Sequence, residues 1–145
     1  MPIYHANKMN IKYLAHTADV RMVITAQTLY ELFEFSLKGM SNILKTDACL
    51  NANSENHKSV IEIQASDMTN LLIDFLSEVL SISYVNNVIY CEIKFSELSA
   101  SKITAEVSGQ KIDRFDEEIK AVTYHEANIT ENVQGNWTVT IILDI

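Results

Sequence analysis

The chain has few of the residues that punctuate or staple small folds: three glycines, one proline and two cysteines among 145 residues. No glycine-rich stretch has Rossmann or P-loop spacing, so those modes of nucleotide binding have no support. Cys49 and Cys91 lie far apart and form no CxxC, which leaves neither a zinc knuckle nor a disulfide framework. They read as two buried or half-buried thiols in a reducing compartment. No apolar run approaches the ~20 residues that span a bilayer, and the opening MPIYHANKMN has no apolar core of a signal peptide. The expectation is a cytoplasmic protein without membrane association. Positive charge is also scarce. Eleven Lys and Arg face 19 Asp and Glu, a formal net charge of −8. Such a chain repels a phosphate backbone, so unaided nucleic-acid binding is not expected. The same charge suits a basic protein partner or a cation, or serves solubility alone.

What is present is an ordinary globular composition, 48% hydrophobic and 21% charged, at a length that fits one domain over 1–145 with 1–10 as a flexible N-terminus. Val20, Met22, Ile24 and Ala26 alternate with Arg21, Val23 and Thr25, the period of a strand. Thr28 stands three residues before Glu31, a capping-box start, and Leu29, Leu32, Phe33, Leu37, Met40 and Leu44 continue at helical spacing. TDACLNANSENHKS is a polar connector. Ile61, Ile63 and Ala65 mark a short strand. Ser66 or Asp67 can cap a second helix, in which Met68, Leu71, Leu72, Phe75, Leu76, Val79 and Leu80 form the apolar stripe. The period then falls to two. Strands are expected over Ile89–Phe95, over Ile103–Val107 ending at Gly109, across IKAVTYHEANIT, and from Trp137 to Ile145. The first strand leaves room for a second beside it. This order predicts an α+β fold: one or two antiparallel sheets with two packed amphipathic helices.

Polar residues gather near strand ends. His16, Thr17 and Asp19 precede the first clear strand, and Asp144 falls on the polar phase of the last. If those strands are neighbours, Asp19, Asp144 and the main-chain carboxylate of Ile145 converge. Three anionic oxygens repel unless a cation sits among them, and oxygen-only ligation points to calcium, magnesium or manganese rather than zinc. On spacing alone, Asp19 reads first as a turn residue and His16 first as a packed or turn-capping histidine. His125 falls in an apolar phase and reads as buried and hydrogen-bonded. Asp74 and Glu78, at i,i+4, read as a solvated helix face or an acid/base pair. Lys120 reads as a surface strand lysine. No serine or cysteine has a nucleophile signature.

Four stretches taken together carry a resemblance: HTADV at His16–Val20, the helix TLYELFEFSLKGM, the helix LLIDFLSEVL, and EIKAVTYH with the closing LDI. In this combination and order the chain resembles the archease family, the small protein partners of the RtcB-type GTP-dependent RNA ligase. The resemblance implies a metal site built from Asp19, Asp144 and Ile145, with calcium the first candidate and magnesium or manganese the others. It implies a protein that is not itself a ligase. Such a protein speeds formation of the guanylylated histidine on its partner and restores that enzyme after turnover, in tRNA splicing and RNA repair. Lys120, His16, His125 and Glu78 then become supporting or partner-facing candidates. Arg21 and Ala26 depart from the family's usual glycines, and Gln110 from a common glutamate. Outside the resemblance, the residues leave two other readings: a metal-dependent hydrolase with His16 or Glu78 as base, and a plain calcium- or metabolite-binding module.

Overall fold

The computed structural model describes residues 10–16, 19–50 and 56–145. A strand β1 (Asn10–His16) and β2 (Asp19–Ala26) form an antiparallel hairpin in which Asn10 pairs with Thr25 and His16 with Asp19. The strand is thus real from Asn10 onward, and the flexible N-terminus expected over 1–10 otherwise lies outside the described residues. Helix α1 (Leu29–Leu44) starts at the Thr28 cap: its hydroxyl accepts from the Glu31 amide at 3.1 Å, and the Glu31 carboxylate reaches back one residue past the cap to accept from the Gln27 amide at 3.2 Å. After β3 (His57–Gln64), helix α2 (Met68–Asn86) is capped by Asp67, whose carboxylate accepts from the Asn70 amide at 2.8 Å. The helix ends where Asn87 turns left-handed at φ 54, a conformation asparagine tolerates.

Four further strands and a two-residue bridge complete the chain: β4 (Val88–Leu98), β5 (Lys102–Lys111), β6 (Ala121–Thr123), β7 (Thr130–Glu131) and β8 (Trp137–Asp144). Together the strands make two antiparallel sheets. One runs β1-β2-β8-β6 with β7 also on β8, and the other runs β3-β5-β4. Both helices contact strands of both sheets, so the α+β architecture has a shared core between the sheets. Val20, Met22 and Ile24 from β2, Val139, Ile141 and Leu143 from β8, and Phe33, Leu37 and Phe75 from the helices are all buried in it. By length and composition α2 is apolar enough to cross a bilayer, contrary to the expectation that no stretch comes near this. Its stripe of Leu71, Leu72, Phe75, Leu76 and Val79 is buried in the domain's core instead.

Three other expectations are corrected. IKAVTYHEANIT does not form one strand. Pairing stops at Thr123, the chain turns where Glu126 adopts φ 57, and a two-residue bridge resumes at Thr130. Gly109 does not end its strand but sits inside β5, opposite Tyr90 and His57. Cys49 and Cys91 are not separate thiols. They are joined as a disulfide with Cα atoms 5.3 Å apart, inside the range a bridge requires. The physical reason lies in β4, whose register slips between Tyr90 and Glu92. The bulge leaves Cys91 as the extra, unpaired residue, with its buried side chain reaching the segment after α1. Bridging residues 42 apart restricts the unfolded chain, so the Cys49→Ser/Cys91→Ser variant should lose about 2–4 kcal/mol in urea unfolding.

Candidate metal centre

Chain alternation gives the larger sheet one face toward the helices and one toward solvent. On β2 the residues Val20, Met22 and Ile24 point inward, which puts Asp19, Arg21, Val23 and Thr25 on the solvent side. The β2–β8 register pairs Asp19 with Asp144 and Arg21 with Ile142, and β6 continues these rows with Ala121 and Thr123. Asp19 and Asp144 are therefore directly opposed on one face, at a separation where Cβ atoms lie about 4.5–5.5 Å apart. Like charges so placed repel, and nothing in the core explains why a fold should keep them.

The two carboxylates differ in environment. Asp144 is exposed, whereas Asp19 is half-buried and its Oδ1 is buried with no hydrogen-bond partner among the described residues. A buried, unsatisfied carboxylate oxygen costs free energy. A hard cation would satisfy it and remove the repulsion across the ladder at the same time. The donors fit such an ion. Among the described residues no group of three or more His, Cys, Asp or Glu side chains is placed to hold a metal ion, so a cation here would complete its shell with main-chain oxygen or water. Hard alkaline-earth ions and manganese accept that set; zinc, which favours nitrogen and sulfur, suits it poorly.

The remaining candidates surround this pair to different degrees. In the ladder His16 pairs with Asp19, at the end of the same row; its side chain lies outside the described residues. Ile145, half-buried and packed on the core, comes directly after Asp144. Lys120 is exposed, and its amide donates to the Asp144 carbonyl at 2.7 Å, so the KAVTYH motif is tied to the carboxylate pair through the backbone. Glu78 stands exposed on α2. Its neighbour Asp74 accepts a hydrogen bond from the Tyr124 phenol, which that contact pushes to a higher pKa.

His125 is corrected outright. The strand ends at Thr123, so the apolar phase does not reach it, and its side chain is 75% exposed in the turn. Beside it stands Glu126, a residue that sequence reasoning misses. Its carboxylate meets the Arg21 guanidinium at 2.7 Å, and that hydrogen bond holds the Glu126 carboxyl below the usual carboxylate range. Since β8 lies between β2 and β6, the Arg21 side chain crosses β8 over Ile142. Ile142 is only 3% exposed on this otherwise open face, consistent with an alkyl stem lying over it. No turn signal in the sequence marks this break, since of His125, Glu126, Ala127 and Asn128 only Asn128 is a turn-forming residue.

The class is thus a small α+β protein with two antiparallel sheets, two central helices, and a pair of opposed carboxylates at a strand end. Residues 12–145 match the model of the Archease protein family (MTH1598/TM1083), and the chain belongs to that family. Protein archease of Methanosarcina barkeri is 30% identical over 142 residues, covering 92% of this chain and 94% of that protein. Its counterpart in Pyrococcus abyssi is 29% identical over 143 residues, covering 92% and 97%. The solution structure of protein 1598 from Methanobacterium thermoautotrophicum superposes with a TM-score of 0.75 at 24% identity, covering 93% of this chain and 98% of that one. The crystal structure of a Thermotoga maritima protein, described as an archease and possible chaperone, gives 0.60 at 18% identity, covering 98% and 100%. These two likenesses speak to the fold alone.

Proposed function

We propose that this protein is a non-catalytic activator of a GTP-dependent RtcB-type RNA ligase, promoting guanylylation and repeated turnover of that enzyme in tRNA splicing and RNA repair in the cytoplasm. The observation that carries the reading is the opposed pair Asp19 and Asp144 with the Asp19 Oδ1 left unpartnered among the described residues. Family membership supports an accessory role. A divalent ion, calcium first, would supply positive charge and Lewis acidity at a carboxylate-lined rim. The chain's own residues do the rest. Asp19 and Asp144 would hold the ion from adjacent strands, the ladder keeps them in register, and Lys120 beside Asp144 and His125 in the turn after β6 stand exposed for contact with the partner. The net charge of −8 steers the encounter with a basic, metal-rich ligase site, an attraction that salt weakens.

The test is guanylylation of the purified ligase by GTP with this protein at trace amounts. Faster guanylylation and multiple turnovers are expected; an unchanged rate between proteins that demonstrably bind would overturn the proposal. Phosphoester turnover by the isolated protein would instead favour a hydrolase. The third ligand has its own test. Two residues inserted between Asp144 and Ile145 move the main-chain oxygen of Ile145, so the extended protein should lose divalent affinity by about 10-fold or more, as expected for a perturbed metal shell. Calorimetric titration reads this directly, and an extended protein that binds normally removes Ile145 from the site.

A further inference from the structure

Arg21 presents a contradiction that its neighbours resolve. It stands two residues beyond Asp19 on the same face of β2, so a guanidinium is carried about 7 Å along the strand from the carboxylate. Asp19 has a buried oxygen without a partner among the described residues, and a long cationic side chain nearby is the ordinary way to satisfy one. Arg21 does not do so. It reaches in the other direction, across β8 and over Ile142, to Glu126 at 2.7 Å. Glu126 sits in a left-handed turn conformation at φ 57, which is unfavourable for a residue with a Cβ. The turn holds an acceptor where the guanidinium can be caught. The His125 Nε2 lies 3.7 Å from the same carboxylate. The hydrogen bond to Glu126 is the main influence that keeps Arg21 protonated, and the Asp19 charge acts in the same direction.

We propose that Glu126 is a positioning residue for the carboxylate pair: it latches Arg21 away from Asp19 and so keeps the Asp19–Asp144 site open to a divalent cation. The inference rests on the metal-site reading above and deepens it. Without the latch, the guanidinium is free to turn back along β2, bond the Asp19 Oδ1 and compete with the ion. With the latch closed, the charges of Arg21 and Glu126 largely cancel, and the site sees little of either.

The experiment is calorimetric titration of calcium, then manganese, into the full-length protein and four variants: Asp144→Ala, Glu126→Gln, Arg21→Met and the Arg21→Met/Glu126→Gln double. Methionine keeps an apolar stem over Ile142 while removing the charge, and circular dichroism checks that each variant is folded. A unit charge about 7 Å from a divalent ion alters its affinity roughly tenfold at the dielectric of water, which this open face of the sheet approaches. Glu126→Gln should therefore weaken binding about tenfold, Arg21→Met should tighten it about threefold, and the double should return to within about threefold of the unmodified protein. Glu126→Gln binding like the unmodified protein, or a double as weak as Glu126→Gln alone, would overturn the latch while leaving the site intact. An unmodified protein that binds neither ion, or an Asp144→Ala variant that binds equally well, overturns the site and the latch together.

Discussion

Asp19→Ala and Asp144→Ala are each expected to abolish stimulation of the ligase while leaving the domain folded. The direction of the stability change separates this from simple damage. In the ion-free protein the two carboxylates face each other across the β2–β8 ladder, and opposed like charges on neighbouring strands cost up to about 1 kcal/mol. Asp19 also carries a buried oxygen that nothing satisfies among the described residues, a further cost that alanine removes. Without divalent ions, then, either variant should be at least as stable as the unmodified protein. With calcium present the order should reverse. An ion that binds only the folded state adds stability that grows with its concentration, about 2.7 kcal/mol at a hundred times its dissociation constant. The variants should not gain it. Urea unfolding with and without calcium reads the crossing. Variants less stable under both conditions would mean that the aspartates are structural, and the loss of stimulation would then say nothing about a cation.

The second large effect is on folding itself. Gly109→Ala should destabilise the domain by more than about 4 kcal/mol, beyond the usual range of single substitutions. A Cβ at this position would lie 1.8 Å from the Ile89 carbonyl oxygen and 2.7 Å from the Tyr90 Cα. Those are backbone atoms of the neighbouring strand, which cannot rotate away as a side chain could. The glycine is required because β4 bulges beside it, between Tyr90 and Glu92, and the bulge brings its main chain against β5. Displacing β4 would also move Cys91, and with it the bridge to Cys49. Urea denaturation of the variant gives the magnitude. A loss of less than about 1 kcal/mol would show that the bulge can relax, in contradiction to the contact geometry.

Where a local rule and the tertiary fold agree, the sequence is legible. Thr28 with Glu31 and Asp67 with Asn70 announce their helices because a cap needs only residues three apart. The alternation through Val20–Ala26 and Trp137–Ile145 marks strands because one face of each is packed on the core. That Asp19 and Asp144 share a face comes from the same alternation, but their being opposite requires the β2–β8 pairing, which no local signal specifies. Only the family resemblance points to that pairing from the sequence side. The features that stay hidden depend on departures from regularity. The Cys49–Cys91 bridge is made by a one-residue bulge. The exposure of His125 and the reach of Glu126 to Arg21 come from a left-handed residue in the middle of an apolar-looking run. Arg21 itself reads only as the polar phase of a strand, because its partner Glu126 is distant along the chain and a strand apart in space.

The most direct measurement is anomalous diffraction from crystals soaked in manganese. A peak is expected between the Asp19 and Asp144 carboxylates, with the Asp19 Oδ1 among its ligands and the peak missing in Asp144→Ala crystals soaked alike. A soaked crystal with the two carboxylates turned apart and no peak between them would contradict the shared cation on which the activator reading depends.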